Sequence, residues 1–449
     1  MRKYFGTDGV RGIANLELTA ELAYKLAKSA GEVFKKEYLD KKPLAVIGTD
    51  TRASGDMLKS ALISGFTSVG MDCADLGIIT TPAVAYLTRH YHADLGVVVS
   101  ASHNPMEYNG IKFFNSKGLK LDDNIELEIE KLLENDDKAK LPTHQNIGRL
   151  VHPGDPKKDY QDFLLSQIKP DLSGYKVVLD CANGAGGVVA PGLYKILGAD
   201  VITTFADIDG IHINDGCGST HPENLAREVV RQKADFGFSY DGDADRLIAI
   251  DEKGEIVDGD KLMLIFANYL KNIGRLKNDS LVVTVMSNMG LFVSAENLGI
   301  NLEVTDVGDR YVMEGMLKGG HIIGGEQSGH IILLEHNTTG DGILSSLMLS
   351  EIISSTHKKL SELASIMDIY PQVLINVKVD GKYKKTYAEI PNIKNLIEKT
   401  ETALGKNGRL LIRPSGTEPL IRVMIEGKDL DHIKSMAEEI ADIIKKECV

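Results

Sequence analysis

The sequence predicts an α/β protein of three related domains followed by a smaller, differently organised α+β domain. Three observations carry that prediction. One plan of strand, polar turn, helix and strand occurs three times along the 449 residues. Each repeat ends in a dense polar loop. Beyond Pro371 the plan changes. The length is compatible, since a domain commonly takes roughly 150 residues.

The repeats open on apolar, β-branched runs at Leu44 to Asp50, Lys176 to Gly184 and Leu281 to Asn288. Continuous apolar character suits a strand buried on both faces. Helix-compatible stretches follow and stop at Gly70, Gly198 and Gly299, as a C-terminal glycine would stop them. Second strands cover Asp72 to Leu76, Asp200 to Thr204 and Asn301 to Thr305. Third strands start at Ala93, Ala234 and His321 and run into the loops Ser100 to Pro105, Asp241 to Arg246 and Gly324 to His330. Short strands alternating with helices imply βαβ units and mainly parallel sheets. Ligands bind such sheets beyond the carboxyl ends of the strands, so the three loops are expected to line one shared cleft. In the last region, strands at Val373 to Val379, Arg409 to Arg413 and Leu420 to Glu426 accompany the loop Pro414 to Pro419. An amphipathic helix from Leu430 to Lys446 closes the chain. The polar, proline-containing stretch 136–158 and the turn Asp251 to Glu255 mark boundaries. The expected domains are 1–150, 151–253, 254–367 and 368–449.

Charge narrows the partners. Lys plus Arg number 51 against 64 Asp plus Glu, a net charge of -13. Such a chain does not gather nucleic acid or anionic membrane by long-range attraction. Trp is absent and aromatics are 6%, so base-stacking platforms are poorly supplied. A few local Arg and Lys residues can still hold a small anion. The first residues lack the apolar run of a signal peptide, and the apolar stretch Leu262 to Leu270 is too short to span a bilayer. Four Cys, at 73, 181, 217 and 448, form no CxxC pair. A reduced, cytoplasmic protein is the plain expectation. Oligomeric state is left open, a homodimer among the alternatives.

The loops read as chemistry. Asp241, Asp243 and Asp245 alternate with small residues, and alternate side chains of an extended backbone share a face. Three carboxylates so placed repel one another unless a cation joins them, and hard oxygens suit Mg²⁺. A solvated acidic turn fits the same pattern equally well. A calcium loop does not, because Arg246 stands where its obligatory Gly would be, although Glu252 is at the twelfth position. Ser102, His103 and Asn104 follow an apolar strand. Alone they are readily turn formers; Lys112, in Asn109 to Lys112, brings a cation to the same region. No nucleophile elbow of the G-x-S-x-G kind occurs. Arg413, Ser415, Gly416, Thr417 and Arg422 have the makings of a phosphate cradle, with hydroxyls, a close-approach glycine and forked donors. Glu326, Ser328 and His330 in the third loop suit a polyhydroxylated or amino-bearing ligand. No Walker A or dinucleotide fingerprint occurs.

These motifs in this order resemble the α-D-phosphohexomutase superfamily over essentially the whole chain. They comprise Phe5 to Gly12, Thr81-Pro82, Ser100 to Pro105, Asp241 to Arg246, Val307 to Tyr311, Gly325 to His330 and Arg413 to Pro419. The opening Phe5 to Gly12, and Gln327 where hexose mutases more often have Met, resemble the branch acting on glucosamine phosphates. The resemblance implies three related mixed-sheet α/β domains and a fourth smaller α+β domain around a central cleft. It implies interconversion of glucosamine 6-phosphate and glucosamine 1-phosphate, on the route to UDP-N-acetylglucosamine. Ser102 would be the phosphoserine and would share one Mg²⁺ per subunit with Asp241, Asp243 and Asp245. Glucosamine 1,6-bisphosphate would be the intermediate and activator. Arg11, His103 and Lys112 would surround the transferring phosphoryl group, with Lys112 the acid/base. Arg246 would lie beside the metal loop. Glu326, Ser328 and His330 would contact the sugar, and Arg413, Ser415, Gly416, Thr417 and Arg422 the non-reacting phosphate. The rivals are a phosphomannomutase/phosphoglucomutase, a sugar-phosphate phosphatase and a non-catalytic sugar-phosphate sensor.

Overall fold

A computed structural model describes residues 3–6, 8–37, 42–135, 141–384, 386–415 and 419–448, apart from the side chain of Lys406. The chain forms two compact units, Met1–Met286 with Ile300–Ile366, and Ser287–Gly299 with Met367–Val449.

The first unit holds three sheets. Its first domain runs β1 (Val10–Ile13), α1 (Ala20–Glu37), β2 (Leu44–Thr49), α2 (Gly55–Ser68), β3 (Asp72–Ile78), α3 (Thr81–His90), β4 (Leu95–Val99), β5 (Tyr108–Asn115), α4 (Asp123–Glu134) and β6 (Leu150–Val151). The sheet order is β1-β5-β4-β2-β3-β6. β4, β2, β3 and β6 are parallel neighbours, while β5 and β1 return antiparallel. The buried face of α1 and α2 supplies Leu26, Ala30, Phe34, Leu58, Leu62 and Phe66 to a core shared with Ile47, Val97, Val99 and Ile111. Thr80 caps α3 by accepting from Ala83 N, and Pro82 suits the first turn, where its missing N–H has no partner to lose.

The second domain repeats the plan with α5 (Pro156–Gln167), β7 (Lys176–Asp180), α6 (Gly186–Ile196), β8 (Asp200–Thr204), α7 (Glu223–Gln232), β9 (Phe236–Tyr240), β10 (Leu247–Asp251) and β11 (Ile256–Val257). Its sheet order is β11-β10-β9-β7-β8. The turn expected at Asp251 to Glu255 joins β10 to β11 within this sheet, so the expected boundary after residue 253 falls inside a hairpin. The third repeat comprises α8 (Gly259–Asn272), β12 (Ser280–Thr284), α9 (Met289–Asn297), β13 (Asn301–Thr305), α10 (Asp309–Gly319), β14 (Ile323–Gly325), β15 (Ile331–Leu333), α11 (Gly342–Thr356) and α12 (Leu360–Ala364). Its sheet order is β13-β12-β14-β15. α9 follows β12 in the chain but belongs to the second unit.

The three glycines expected to end helices lie just beyond α2, α6 and α9, all at positive φ: Gly70 +93°, Gly198 +91° and Gly299 +63°. The sheets are mixed, as the resemblance implies. Each central set of parallel strands carries antiparallel return strands: β5 with β1, β10 with β11, and β15. The three polar loops are therefore hairpin connections, β4 to β5, β9 to β10 and β14 to β15.

The second unit contains β16 (Gln372–Lys378), α13 (Pro391–Leu404), β17 (Gly408–Pro414), β18 (Leu420–Gly427) and α14 (Leu430–Cys448). β18 lies antiparallel between β16 and β17. Val377, Ile393, Val423, Ile425, Ile433, Ile440 and Ile444 form its core. α9 is tied in by Asn288, whose Nδ2 donates to Tyr370 O and Glu426 Oε1 and whose Oδ1 accepts from Tyr370 N. Among the described residues no helix is long and apolar enough to cross a membrane.

Candidate active site

Strand register gathers the first group of residues. β4 pairs with β5 so that Val98 faces Lys112. β5 pairs with β1 so that Gly110 faces Arg11. Lys112 and Arg11 thus stand beside the strand end from which Ser102 emerges. Ser102 has a left-handed backbone, φ +53°, which non-glycine residues rarely adopt. Its amide donates to Ser100 Oγ at 2.9 Å. Its Oγ donates to Asp241 Oδ2 at 2.6 Å and lies 3.3 Å from His103 Nδ1.

The three aspartates converge, but by a different route from the one expected. The segment is not extended: Ala244 has φ +54° and its N–H closes a turn onto Asp241 O. The turn brings one carboxylate oxygen from each of Asp241, Asp243 and Asp245 within 4.8 Å of the others, all three residues buried. Asp243 Oδ1 and Asp245 Oδ1 are buried without a hydrogen-bond partner. Buried, clustered, unsatisfied carboxylate oxygens fit a hard divalent cation. Gly242 makes the approach feasible, because a Cβ there would sit 2.7 Å from Ser102 O. Glu252, at the twelfth position of the calcium-loop pattern, is engaged elsewhere: its carboxylate accepts from Ser361 Oγ and N.

Lys112 is 3% exposed, with Asp243 at 3.1 Å, Asp8 at 3.3 Å and Asp245 at 3.7 Å. Burial alone would lower its pKa; the Asp243, Asp8 and Asp245 charges outweigh burial and hold the ammonium form well above its usual range. Arg11 pairs with Asp8. Asp8 also pairs with Lys120, which in turn pairs with Asp309. Burial, then the nearby Arg246 charge, pushes His103 down to about 4, so its ring is neutral at pH 7. The amide of Arg246 donates to Asp241 Oδ1 at 3.2 Å, and its Nε is 4.0 Å from Asp245 Oδ1.

Ser102, His103, Arg11, Arg246, Glu326 and His330 line one cavity of about 730 Å³ in the first unit. The β14–β15 hairpin carries the third loop into it. Glu326 Oε1 accepts from Gly308 N at 2.9 Å, and Ser328 Oγ is 3.4 Å from Glu326 Oε2. His330 Nε2 accepts from Gly340 N at 3.2 Å. Burial alone would lower the His330 pKa, but the Asp245, Asp309 and Glu326 carboxylates outweigh it and raise it; Nδ1 faces Asp245 Oδ2 at 3.6 Å. Gln327 donates to Asp258 Oδ2.

The remaining group lies in the second unit. Arg413 and Arg422 are directly opposed across β17 and β18. Burial and the Arg422 charge both lower the Arg413 pKa. Like charges in register repel, and an anion between them relieves the repulsion. Ser415 is buried and its amide donates to Leu420 O. Gly416 and Thr417 lie outside the described residues.

The sequence reading missed several partners. Asp8 and Thr81 sit inside motifs already noticed; Thr81 Oγ1 donates to Asp243 Oδ2 at 2.7 Å. Arg52 stands just past the first central strand. Asn214 and Lys120 carried no sequence signal.

Four family profiles match in chain order. They are phosphoglucomutase/phosphomannomutase alpha/beta/alpha domain I over residues 2–140, domain II over 158–254, domain III over 258–370 and the C-terminal domain over 374–443. The chain is 57% identical over 447 residues to phosphoglucosamine mutase of Clostridioides difficile (strain 630), with 99% of each sequence covered. Its fold is similar to that of a phosphoglucomutase/phosphomannomutase family protein from Burkholderia thailandensis. The TM-score is 0.82 at 22% identity, over 99% of this chain and 98% of the other. An Aspergillus fumigatus N-acetylphosphoglucosamine mutase in complex with GlcNAc-6P and magnesium gives a TM-score of 0.67 at 18% identity, over 100% of this chain and 96% of the other.

Proposed function

Since the chain belongs to the phosphoglucomutase/phosphomannomutase family, we propose that it interconverts glucosamine 6-phosphate and glucosamine 1-phosphate through a phosphoserine at Ser102. The carrying observation is the contact of Ser102 Oγ with Asp241 at 2.6 Å, beside a buried three-aspartate cluster. The choice of glucosamine rests on the likeness to phosphoglucosamine mutase. Four buried, unpaired cysteines at 73, 181, 217 and 448 suit a reducing compartment, so the cytoplasm is the proposed location.

Asp241, Asp243, Asp245 and a phosphoserine 102 oxygen are the proposed Mg²⁺ ligands. Bound there, the ion supplies positive charge against the phosphoryl oxygens. Arg11 and the Lys112 ammonium add to that charge, which phosphoryl transfer needs more than covalent assistance. As the P–O bond to Ser102 Oγ breaks, Lys112 gives Oγ a proton and is reprotonated by the sugar hydroxyl that accepts the phosphoryl group. The product, glucosamine 1,6-bisphosphate, turns round, and the same steps in reverse return its other phosphoryl group to Ser102. Neutral His103 accompanies the serine as a hydrogen-bonding partner. Arg246 holds the metal loop, while Glu326, Ser328 and His330 contact the sugar. Arg413, Ser415, Gly416, Thr417 and Arg422 hold the phosphate that is not reacting. The proposed domains keep the division 1–150, 151–253, 254–367 and 368–449, with the second extended to Val257 so that the β10–β11 hairpin stays whole.

One panel tests this reading. Glucosamine, glucose and mannose phosphates are offered under identical conditions and the products identified. Fastest isomerisation of glucosamine phosphate is expected. Faster turnover of glucose or mannose phosphate moves the substrate to the hexose mutases. Release of free phosphate alone makes the protein a phosphatase, and no turnover makes it a sensor. Intact-mass analysis should show one phosphate that Ser102→Ala removes, and full isomerase activity in Ser102→Ala would sink the covalent mechanism.

A further inference from the structure

Arg52 has no part in the steps above, yet its bonding is directed at the serine loop. It lies just past β2, with its side chain 0% exposed. Nε donates to Asp50 Oδ2 at 2.9 Å. Nη1 donates to Pro105 O and, at 3.0 Å, to Tyr108 O. Nη2 donates to Ser102 O at 3.0 Å and Asn104 O at 2.7 Å. A guanidinium has five N–H donors. Here one goes to Asp50 and the rest go to backbone carbonyls of residues 102–108.

A second residue holds two of those carbonyls from another domain. Asn214 Nδ2 donates to Ser102 O at 2.8 Å and Asn104 O at 3.1 Å. On the other side of the loop, Ser100 Oγ donates to Asp50 Oδ2 at 2.6 Å and accepts from Ser102 N at 2.9 Å. Ser102 is thus fixed at its carbonyl by two side chains and at its amide by a third. A free chain would avoid φ +53° at a serine; such conformations persist where the surroundings over-determine them. A buried Arg–Asp pair that served folding alone would not need to reach four carbonyls of the loop that carries the nucleophile.

We propose that Arg52, with Asn214, is a positioning residue that clamps the Ser102 carbonyl so that Oγ keeps its place at Asp241 through both phosphoryl transfers. The inference rests on the mutase reading above. Geometry decides which acceptor wins. Transfer breaks the Ser102 Oγ–P bond and forms a P–O bond to a sugar hydroxyl, the acceptor's proton being replaced at Oγ through Lys112. Water can take the same phosphoryl group and yield inorganic phosphate and free serine. A sugar hydroxyl held in a fixed place benefits from exact alignment, and a misplacement of about 1 Å costs roughly 100-fold. Water, which is not held, loses less. Loosening the clamp should therefore shift transfer from sugar towards water.

The test uses full-length phosphoenzyme of the parent, Arg52→Lys and Asn214→Ala. Lys keeps the charge but lacks the planar fork. Single-turnover transfer to glucosamine 6-phosphate and release of inorganic phosphate are followed together, at increasing sugar phosphate. For Arg52→Lys we expect transfer at saturation to fall on the order of 10- to 100-fold, with half-saturation nearly unchanged. The ratio of sugar transfer to phosphate release should fall about tenfold or more, in line with that loss of alignment. Asn214→Ala should move the same way by less. The ratio does not depend on how much protein is folded, so a merely structural role would leave it at the parental value. If Arg52→Lys yields no folded protein, Asn214→Ala decides alone. A competent parent matched in ratio by the folded variants overturns the clamp alone. A parent phosphoenzyme that transfers to no hexose phosphate overturns the mutase reading and the clamp with it.

Discussion

Replacing Lys112 by Met keeps most of the stem and removes the charge. Three carboxylates then lose a counter-charge that stands 3.1, 3.3 and 3.7 Å away in a site where Lys112 is 3% exposed. At an effective dielectric of about 20, each such contact is worth roughly 5 kcal/mol of direct attraction. Desolvation of all the charges offsets most of that in the parent. What matters in the variant is the uncompensated remainder, and removing one partner of a buried pair costs about 3–5 kcal/mol. With three carboxylates affected, the upper end of that range is expected. Asp243 and Asp245 are also proposed metal ligands, so Mg²⁺ should restore most of the loss. Urea unfolding of parent and variant, first with chelator and then with saturating Mg²⁺, measures both terms. Transfer from phosphoserine 102 should stay slow even in Mg²⁺, by roughly 100-fold or more, the usual weight of a positioned acid. A deficit of the same size with and without Mg²⁺ would refute the shared-carboxylate argument. No deficit in chelator would refute the counter-charge argument itself.

Other expectations follow from neighbouring groups. Burial alone would raise the Asp8 carboxyl, but Lys112, Lys120 and Arg11 outweigh it and hold the group well below the usual range. A depressed carboxyl binds fewer protons folded than unfolded, so its stabilisation is complete above its unfolded value, about 4, and is lost as pH falls through the folded one. Asp8→Asn should therefore lower stability at pH 7 and flatten the acid limb in melts between pH 3 and 8; an unchanged limb contradicts the network. In the second unit, Arg422→Ala removes one of two opposed guanidinium groups. It should weaken sugar-phosphate affinity by about 1.5–3 kcal/mol, or roughly one to two decades, and leave phosphoserine 102 in place. Arg422→Lys should recover part. Transfer that is slow at saturating substrate with unchanged half-saturation would assign Arg422 to the chemical step instead.

The sequence carried the repeat plainly because buried parallel strands and terminal glycines are local signals. Asp200 to Thr204 and Asn301 to Thr305 are strands with the expected limits. The antiparallel returns were harder. Asn109 to Lys112 lies inside β5, but its Asn-Gly pair reads as a turn rather than as a strand. The three aspartates do converge, but not through the extended strand that the alternation suggests, because Ala244 turns left-handed. Ser102, His103, Arg11 and Arg246 share the cavity with Glu326 and His330, as their strand-end positions suggested. The bonds between loops were not legible. Asn214 reaches Ser102 O across 112 positions, and nothing in residues 205–218 points from this one side-chain amide to a loop so far away in the chain.

The exchange of α9 bears on how the last part of the chain can be handled and can move. Residues 287–299 belong to the C-terminal unit although β12 and β13, on either side, stay in the first. The backbone therefore passes between the units at 286/287, 299/300 and 366/367, where a simple appended domain would have one junction. A chain cut after residue 366 would keep α9 without Tyr370 and Glu426, to which its N-terminal Asn288 now bonds, and the excised remainder would lack that helix. Neither fragment is a natural folding unit. Any swing of the C-terminal part during catalysis has to be shared among three strands of backbone, which restricts twisting more than a single hinge would. A protease nick at one junction would free less than it severs.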